Sequence, residues 1–414
     1  MPSTQPAPTA SPSERPDSGS AGVAGLPGAT FAYGFRPFFL VAGLVALVYV
    51  PWWAGSIALG WQLSTSWPPT LWHAHEMLFG FIAASVAGFL LTAVPSWTGQ
   101  RGFAGWPLLA LVGLWLAARI AILTSAAWPP SAIATLDLAF LPALAAFLAV
   151  PLLRSRNRNS PLLLVLLALW ACNTLFYWGL ARHDVPLASR ALRVGIDVIL
   201  LLVTVIAGRI LPAFTASALR SAGLAAALRV WPFATPLTIA LMLATIGTDL
   251  LAVDTRIAAT VAAATAVGHG LRLLQWRPLA TRSQPIVWIL HLAYAWLPVG
   301  FALKAGSLVA GAAGNAFWLH ALTIGAISSM VLGVMTRAAL GHTGRPLVVA
   351  PVIAAAYLVL SLAAAVRVFG LGLFGVNYPA LILASALLWA TSFALYLLVY
   401  APILTGPRVD GRAG

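Results

Sequence analysis

Charge is what this sequence most lacks. Only 8% of its 414 residues are charged and only nine are acidic, where a soluble domain carries about 25% charged residues. Cysteine is nearly absent too. The single thiol, Cys172, lies inside an apolar run, which excludes a disulfide framework. There is no glycine-rich phosphate loop, no paired Cys-x-x-Cys and no legible nucleophile–base–acid spacing, so an ATP-driven pump and a membrane protease find no support. Residues 1–30 hold no apolar stretch. Their Pro, Ser, Ala and Gly content reads as a disordered tail rather than a cleavable signal.

Apolar residues, by contrast, make up 61% of the chain, more than a soluble core could hide. A helix needs about 20 of them to cross a bilayer. Runs of that kind fall near 36–58, 72–94, 107–125, 131–153, 161–181, 190–211, 232–252, 255–274, 286–309, 314–336, 347–370 and 377–404. The division near Asp249 and Asp254 is the least marked. The expected fold is therefore all-α: a polytopic membrane bundle over 31–405 with about twelve spans and a short tail over 406–414. Seventeen tryptophans fit interfacial belts. The net charge of +14 does not point to nucleic acid, because the arginines sit in short loops between spans. Most lie on the side of the N-terminus and the even-numbered loops, which predicts cytoplasmic termini.

The second and tenth spans align at a fixed offset. His75 then meets His320, Gly80 meets Gly325, Gly88 meets Gly333, and Thr98-Gly99 meets Thr343-Gly344. Ala207-Gly208 in the sixth span echoes Ala87-Gly88, so a four-helix unit repeated three times is an open possibility.

Ionisable residues inside spans are costly and mark function by default. Trp72-His73-Ala74-His75-Glu76-Met77 opens the second span, and Glu76 is one of only two glutamates. His73, Glu76 and Met77 share a helix face, while His75 points roughly 160–200° away. One histidine is then free for a metal and the other for a neighbouring helix; an interfacial hydrogen-bonding cluster with no metal is the plainer alternative. The repeat nominates His75 and His320 as a facing pair, an arrangement that suits a b-type haem or a copper ion. His269, His291 and His342 fall on the cytoplasmic side, as ligands of a second metal or as packing. His183 lies in an outer loop beside Asp184 and is expected to be solvated. Arg36, Arg209 and Arg337 sit at cytoplasmic helix ends, where they would either neutralise haem propionates or snorkel to headgroups. Met330 and Met335 are soft donors for Cu(I), or filler.

The ordered set Phe35-Arg36-Pro37-Phe38-Phe39, Trp72 to Met77, Pro95-Ser96-Trp97-Thr98-Gly99, Arg209-Ile210-Leu211-Pro212-Ala213-Phe214-Thr215, Met335-Thr336-Arg337 and Gly341-His342-Thr343-Gly344-Arg345 resembles the NnrS family of bacterial inner-membrane proteins. The resemblance implies haem b and copper, and a link to nitric oxide and the relief of nitrosative stress in denitrification. It brings no agreed list of ligands and names no electron donor. On that reading the second- and tenth-span histidines hold a redox metal near the outer face, the inner histidines hold another, and Glu76 supplies or orients a proton. The competing reading is a secondary transporter of a small solute with no redox metal.

Overall fold

The computed structural model describes residues 28–412 apart from 225, 226, 229, 312–316 and 376. Residues 1–27 of the expected tail lie outside the described residues, as do 413 and 414. Twelve helices are long and apolar enough to cross a membrane. They are α1 (Phe35–Ala58), α2 (Pro69–Thr98), α3 (Trp106–Leu123), α4 (Pro130–Arg154), α5 (Leu162–Ala181) and α6 (Val185–Ser221). There follow α7 (Ala234–Leu251), α8 (Thr255–Gln275), α9 (Pro285–Val309), α10 (Phe317–His342), α11 (Pro351–Phe374) and α12 (Tyr378–Thr405). No strand occurs among the described residues.

Local chemistry sets the helix ends. Proline occupies the first turn of α2, α4, α9, α11 and α12, where its missing N–H costs nothing. Side chains of Asp184, Asp254 and Asn377 cap α6, α8 and α12 by accepting from the backbone of Leu187, Arg256 and Ala380. The Asp254 cap also settles the faint boundary between α7 and α8. Gly99, at φ 66°, closes α2 in the left-handed conformation that glycine adopts freely. The main departure from the sequence reading is α6. At 37 residues it is about 55 Å long, well beyond a hydrocarbon core of about 30 Å.

The ends of the chain meet. Arg36, at the start of α1, donates through Nη1 to the carbonyls of Ile403, Leu404 and Gly406 at the end of α12. Both terminal helix ends therefore share one face, called here the terminal face. Helices α2, α6 and α10 touch one another at the centre, and α2 is the most buried, with 83% of its span inside. The three helices grouped by the sequence offset are thus the three that meet, although position alone does not make the four-helix units copies. Two further features share that register. The α-helical ladder widens to π-helix at Glu76–Ile82 in α2 and at Ala321–Ser328 in α10, starting 245 positions apart. Such segments are rare and cluster at functional sites. Gly88 and Gly333 also match in role: a Cβ there would press within 3 Å of Phe39 and Leu290 respectively, so each glycine lets a neighbouring helix approach.

Candidate functional site

Helix α2 divides two environments at the face opposite the termini. On one side lies a cavity of about 240 Å³ walled by α1, α2, α6, α10, α11 and α12. One water needs about 10–15 Å³ by this measure, so the space is roughly twenty times larger. His73 enters it from α2, His320 from α10 and Arg367 from α11. The His73 ring stacks on Trp53 at 4.0 Å between centroids, and its Nδ1 is buried with no hydrogen-bond partner. His73 is also within electrostatic range of both His320 and Arg367. Met77, Leu78, Phe81 and Ile82 make the α2 wall apolar, while Thr70, Thr323, Ser328 and Ser385 add hydroxyls. His73 and His320 lie four and three residues into helices that run in the same direction, about 6 and 4.5 Å from their starts.

On the other side of α2 a charged network is sealed among α2, α3, α4 and α5. Arg119 sits between two carboxylates: Nη1 is 2.7 Å from Glu76 Oε1, and Nη2 bonds Asp137 Oδ1. His75, fully buried, places Nδ1 3.0 Å from Glu76 Oε1. Its Nε2 is 3.1 Å from Asn173 Oδ1 and 3.2 Å from Asp137 Oδ2. Asn173 and Tyr177 also donate to Asp137 Oδ2.

This corrects the expected pairing. His75 does not face His320, because both of its ring nitrogens are engaged by oxygens on the far side of α2 and neither is left for a metal. His73 shares the cavity with His320 instead. The helical-wheel argument, which set the two histidines on opposite faces, holds, since α2 is regular up to His75. The repeat register pairs His75 with His320, whereas the cavity brings His73 and His320 together. Glu76 likewise turns toward Arg119 and is not part of the cavity wall.

The remaining candidates separate. Arg36 caps the end of α12, Arg209 bonds the Asn159 side chain, and Arg337 lies over the Phe214 ring at 3.7 Å. None of the three reaches the cavity, which is at the opposite face. His269 Nδ1 is 2.7 Å from Tyr294 Oη, and His291 Nε2 is 2.8 Å from Thr215 Oγ1, so these neighbours serve different partners. His342 packs on Tyr33 and Phe35 and lines a separate cavity of about 250 Å³ with Arg337 and Phe214. Among the described residues no three His, Cys, Asp or Glu side chains are placed to hold a metal together. The expected inner site is therefore not assembled from its three histidines. Met330 and Met335 line a small cavity of about 70 Å³ in the cleft between α2, α6 and α10.

Several site residues escaped the sequence reading: Arg119, Asp137, Asn173, Tyr177, Arg367 and Tyr378. Arg119, Asp137 and Arg367 carried a usable signal, since each is an ionisable residue inside an apolar run. A further buried pair joins Lys304 Nζ to Asp249 Oδ2 at 2.6 Å, with Asp197 alongside.

No curated protein is matched by this chain. The NnrS protein family is matched along residues 29–408, nearly its whole length, and the chain belongs to that family.

Proposed function

We propose that this multi-pass protein holds a haem b between His73 and His320 and there serves a nitric oxide response, in a bacterial inner membrane with both termini cytoplasmic. The observation that carries this reading is the cavity itself. Two histidines from central helices enter one apolar space, and the Nδ1 of His73 is buried there without a partner. A neutral imidazole in such a setting would be able to hold a haem iron. Bound haem would supply an iron that takes nitric oxide and passes single electrons. The chain's own part is to orient and exclude. Trp53 fixes the His73 ring plane by stacking, and the apolar α2 wall keeps water from the site. The network of Glu76, Arg119 and Asp137 ties the start of α2 to α3 and α4 on the side away from this cavity. The hydroxyls of Thr70, Thr323, Ser328, Tyr378 and Ser385 are groups in the wall able to relay a proton. His73 and His320 are the residues that would hold the haem. Among the described residues no three His, Cys, Asp or Glu side chains lie together, and no step is assigned to copper.

The test is the optical spectrum of the purified protein. A Soret band is expected in wild type and in His75→Ala, and its loss in both His73→Ala and His320→Ala. A well-folded wild type free of haem would refute the reading. A band that survives both cavity substitutions would refute the ligand pair.

A further inference from the structure

Four arginines are buried among the described residues: Arg36, Arg119, Arg272 and Arg367. Three have their charge answered. Arg36 donates to three carbonyls, and Arg119 lies between two carboxylates. Arg272 donates to the carbonyl of Thr204 and to the hydroxyls of Thr235, Thr238 and Tyr294. Arg367 differs. It is 4% exposed, its Nη2 donates only to Tyr378 Oη at 2.9 Å, and its Nη1 is buried with no acceptor. The rings of Phe317 and Tyr378 flank the guanidinium.

Among the described residues no carboxylate is left to pair with it. Beyond residue 27 there are seven acids. Glu76 and Asp137 hold Arg119, Asp249 holds Lys304 with Asp197 alongside, and Asp410 holds Arg408. Asp184 and Asp254 cap helices. A buried cation without an anion is costly, and Arg367 opens onto the one cavity that His73 and His320 share. No acidic residue lines that cavity. Its walls offer a guanidinium and two imidazoles, and Arg367 lacks the carbonyl and hydroxyl acceptors that surround Arg36 and Arg272, so the cavity suits a ligand that brings an anionic acceptor. The forked, planar guanidinium matches a carboxylate in particular.

We infer that Arg367, steadied by Tyr378, is the anchor for a carboxylate of the ligand that occupies this cavity; on the haem reading, which this inference rests on, that group is a propionate. The role expected of Arg36, Arg209 or Arg337 passes to an arginine on α11.

The test compares haemin with its dimethyl ester, in which both propionates are masked, on haem-depleted protein in lipid nanodiscs. Wild type is expected to bind the free acid on the order of ten- to a hundredfold more tightly than the ester. Arg367→Leu should bring the acid down to the affinity of the ester and leave the ester unchanged. Arg367→Lys should recover part of the gap, and Tyr378→Phe should narrow it, which keeps the test open if the leucine variant folds poorly. Equal binding of acid and ester by wild type would overturn the inference, as would a gap that survives in Arg367→Leu. The two readings fail differently. Loss of the Soret band in His73→Ala with no acid–ester gap in wild type sinks the carboxylate anchor alone. A gap that persists while His73→Ala and His320→Ala keep their haem sinks the histidine pair alone. A wild type that binds neither porphyrin sinks both.

Discussion

Replacing Arg119 with leucine removes the one guanidinium shared by Glu76 and Asp137. The side chains of all three are no more than 2% exposed. Breaking a buried ion pair by deleting one partner costs about 3–5 kcal/mol, because the other charge stays behind. Here two carboxylates stay behind, which argues for the upper end. Both keep dipolar partners, however: Glu76 retains His75, and Asp137 retains Asn173 and Tyr177. A cost of about 3 kcal/mol is therefore expected, and at about 1.4 kcal/mol per decade that is a little over a hundredfold in the folding equilibrium. Equilibrium unfolding in mixed detergent and SDS micelles, followed by tryptophan fluorescence, measures it. The triple variant Glu76→Gln/Arg119→Leu/Asp137→Asn carries no buried charge and keeps hydrogen-bonding groups of the same shape, so it should regain at least half of the loss. The reasoning fails if Arg119→Leu costs less than about 0.5 kcal/mol, the range of an ordinary surface change. It also fails if the triple variant is no more stable than the single one, since the cost would then lie in packing. Haem retained per folded molecule should not move, because the network and the cavity lie on opposite sides of α2.

Arg36→Leu leaves the last carbonyls of α12 without their charged donor, and a cost of about 2–4 kcal/mol is expected. Thermal melts check it, and haem content in the folded fraction should stay at the wild-type level, since Arg36 is a helix clasp. In Gly208→Ala the new Cβ would collide with Arg272 Nη2, pushing that guanidinium off the four acceptors that hold it. About 1–3 kcal/mol of destabilisation should follow, and an unchanged melting curve would show that Arg272 can move freely. At the terminal face Arg408 holds the Asp410 carboxyl well below the usual carboxylate range, chiefly through their hydrogen bond, and it also donates to the carbonyl of His342. A depressed carboxylate stabilises above its unfolded-state pKa and loses that effect as pH falls through the folded one. Tail protection from proteolysis should therefore persist at neutral and mildly acidic pH and fail only in strong acid. Asp410→Asn should weaken protection at pH 7, and equal protection of both proteins there would refute this clasp.

The architecture was legible because it follows from a one-dimensional property. Runs of about 20 apolar residues, many with proline or a capping side chain at their starts, located all twelve helices to within a few residues, apart from both ends of α6 and the end of α10. The opposed directions of His73 and His75 were legible for the same reason, since both precede the π-helical segment and obey ordinary helical spacing. What the sequence does not carry is which helix stands next to which. His75 fits a metal ligand as well as His73 does until Asp137 and Asn173, 62 and 98 residues further on, are found against its ring. His269 and His291 seem to belong to one inner site until Tyr294 and Thr215 engage them separately. Arg367 is the sharpest case. In Ala365-Val366-Arg367-Val368 the one local signal is an ionisable residue inside an apolar run, which snorkelling would equally explain. Its significance lies in a global property, the assignment of every acid in the bundle to some other partner. A guanidinium with neither an acid nor a full set of carbonyl and hydroxyl acceptors is visible only once all the partners are known, and it falls in the cavity that already holds two histidines. On the proposed reading the histidines mark where a metal centre would sit, and the unmet guanidinium favours a ligand that carries an anion.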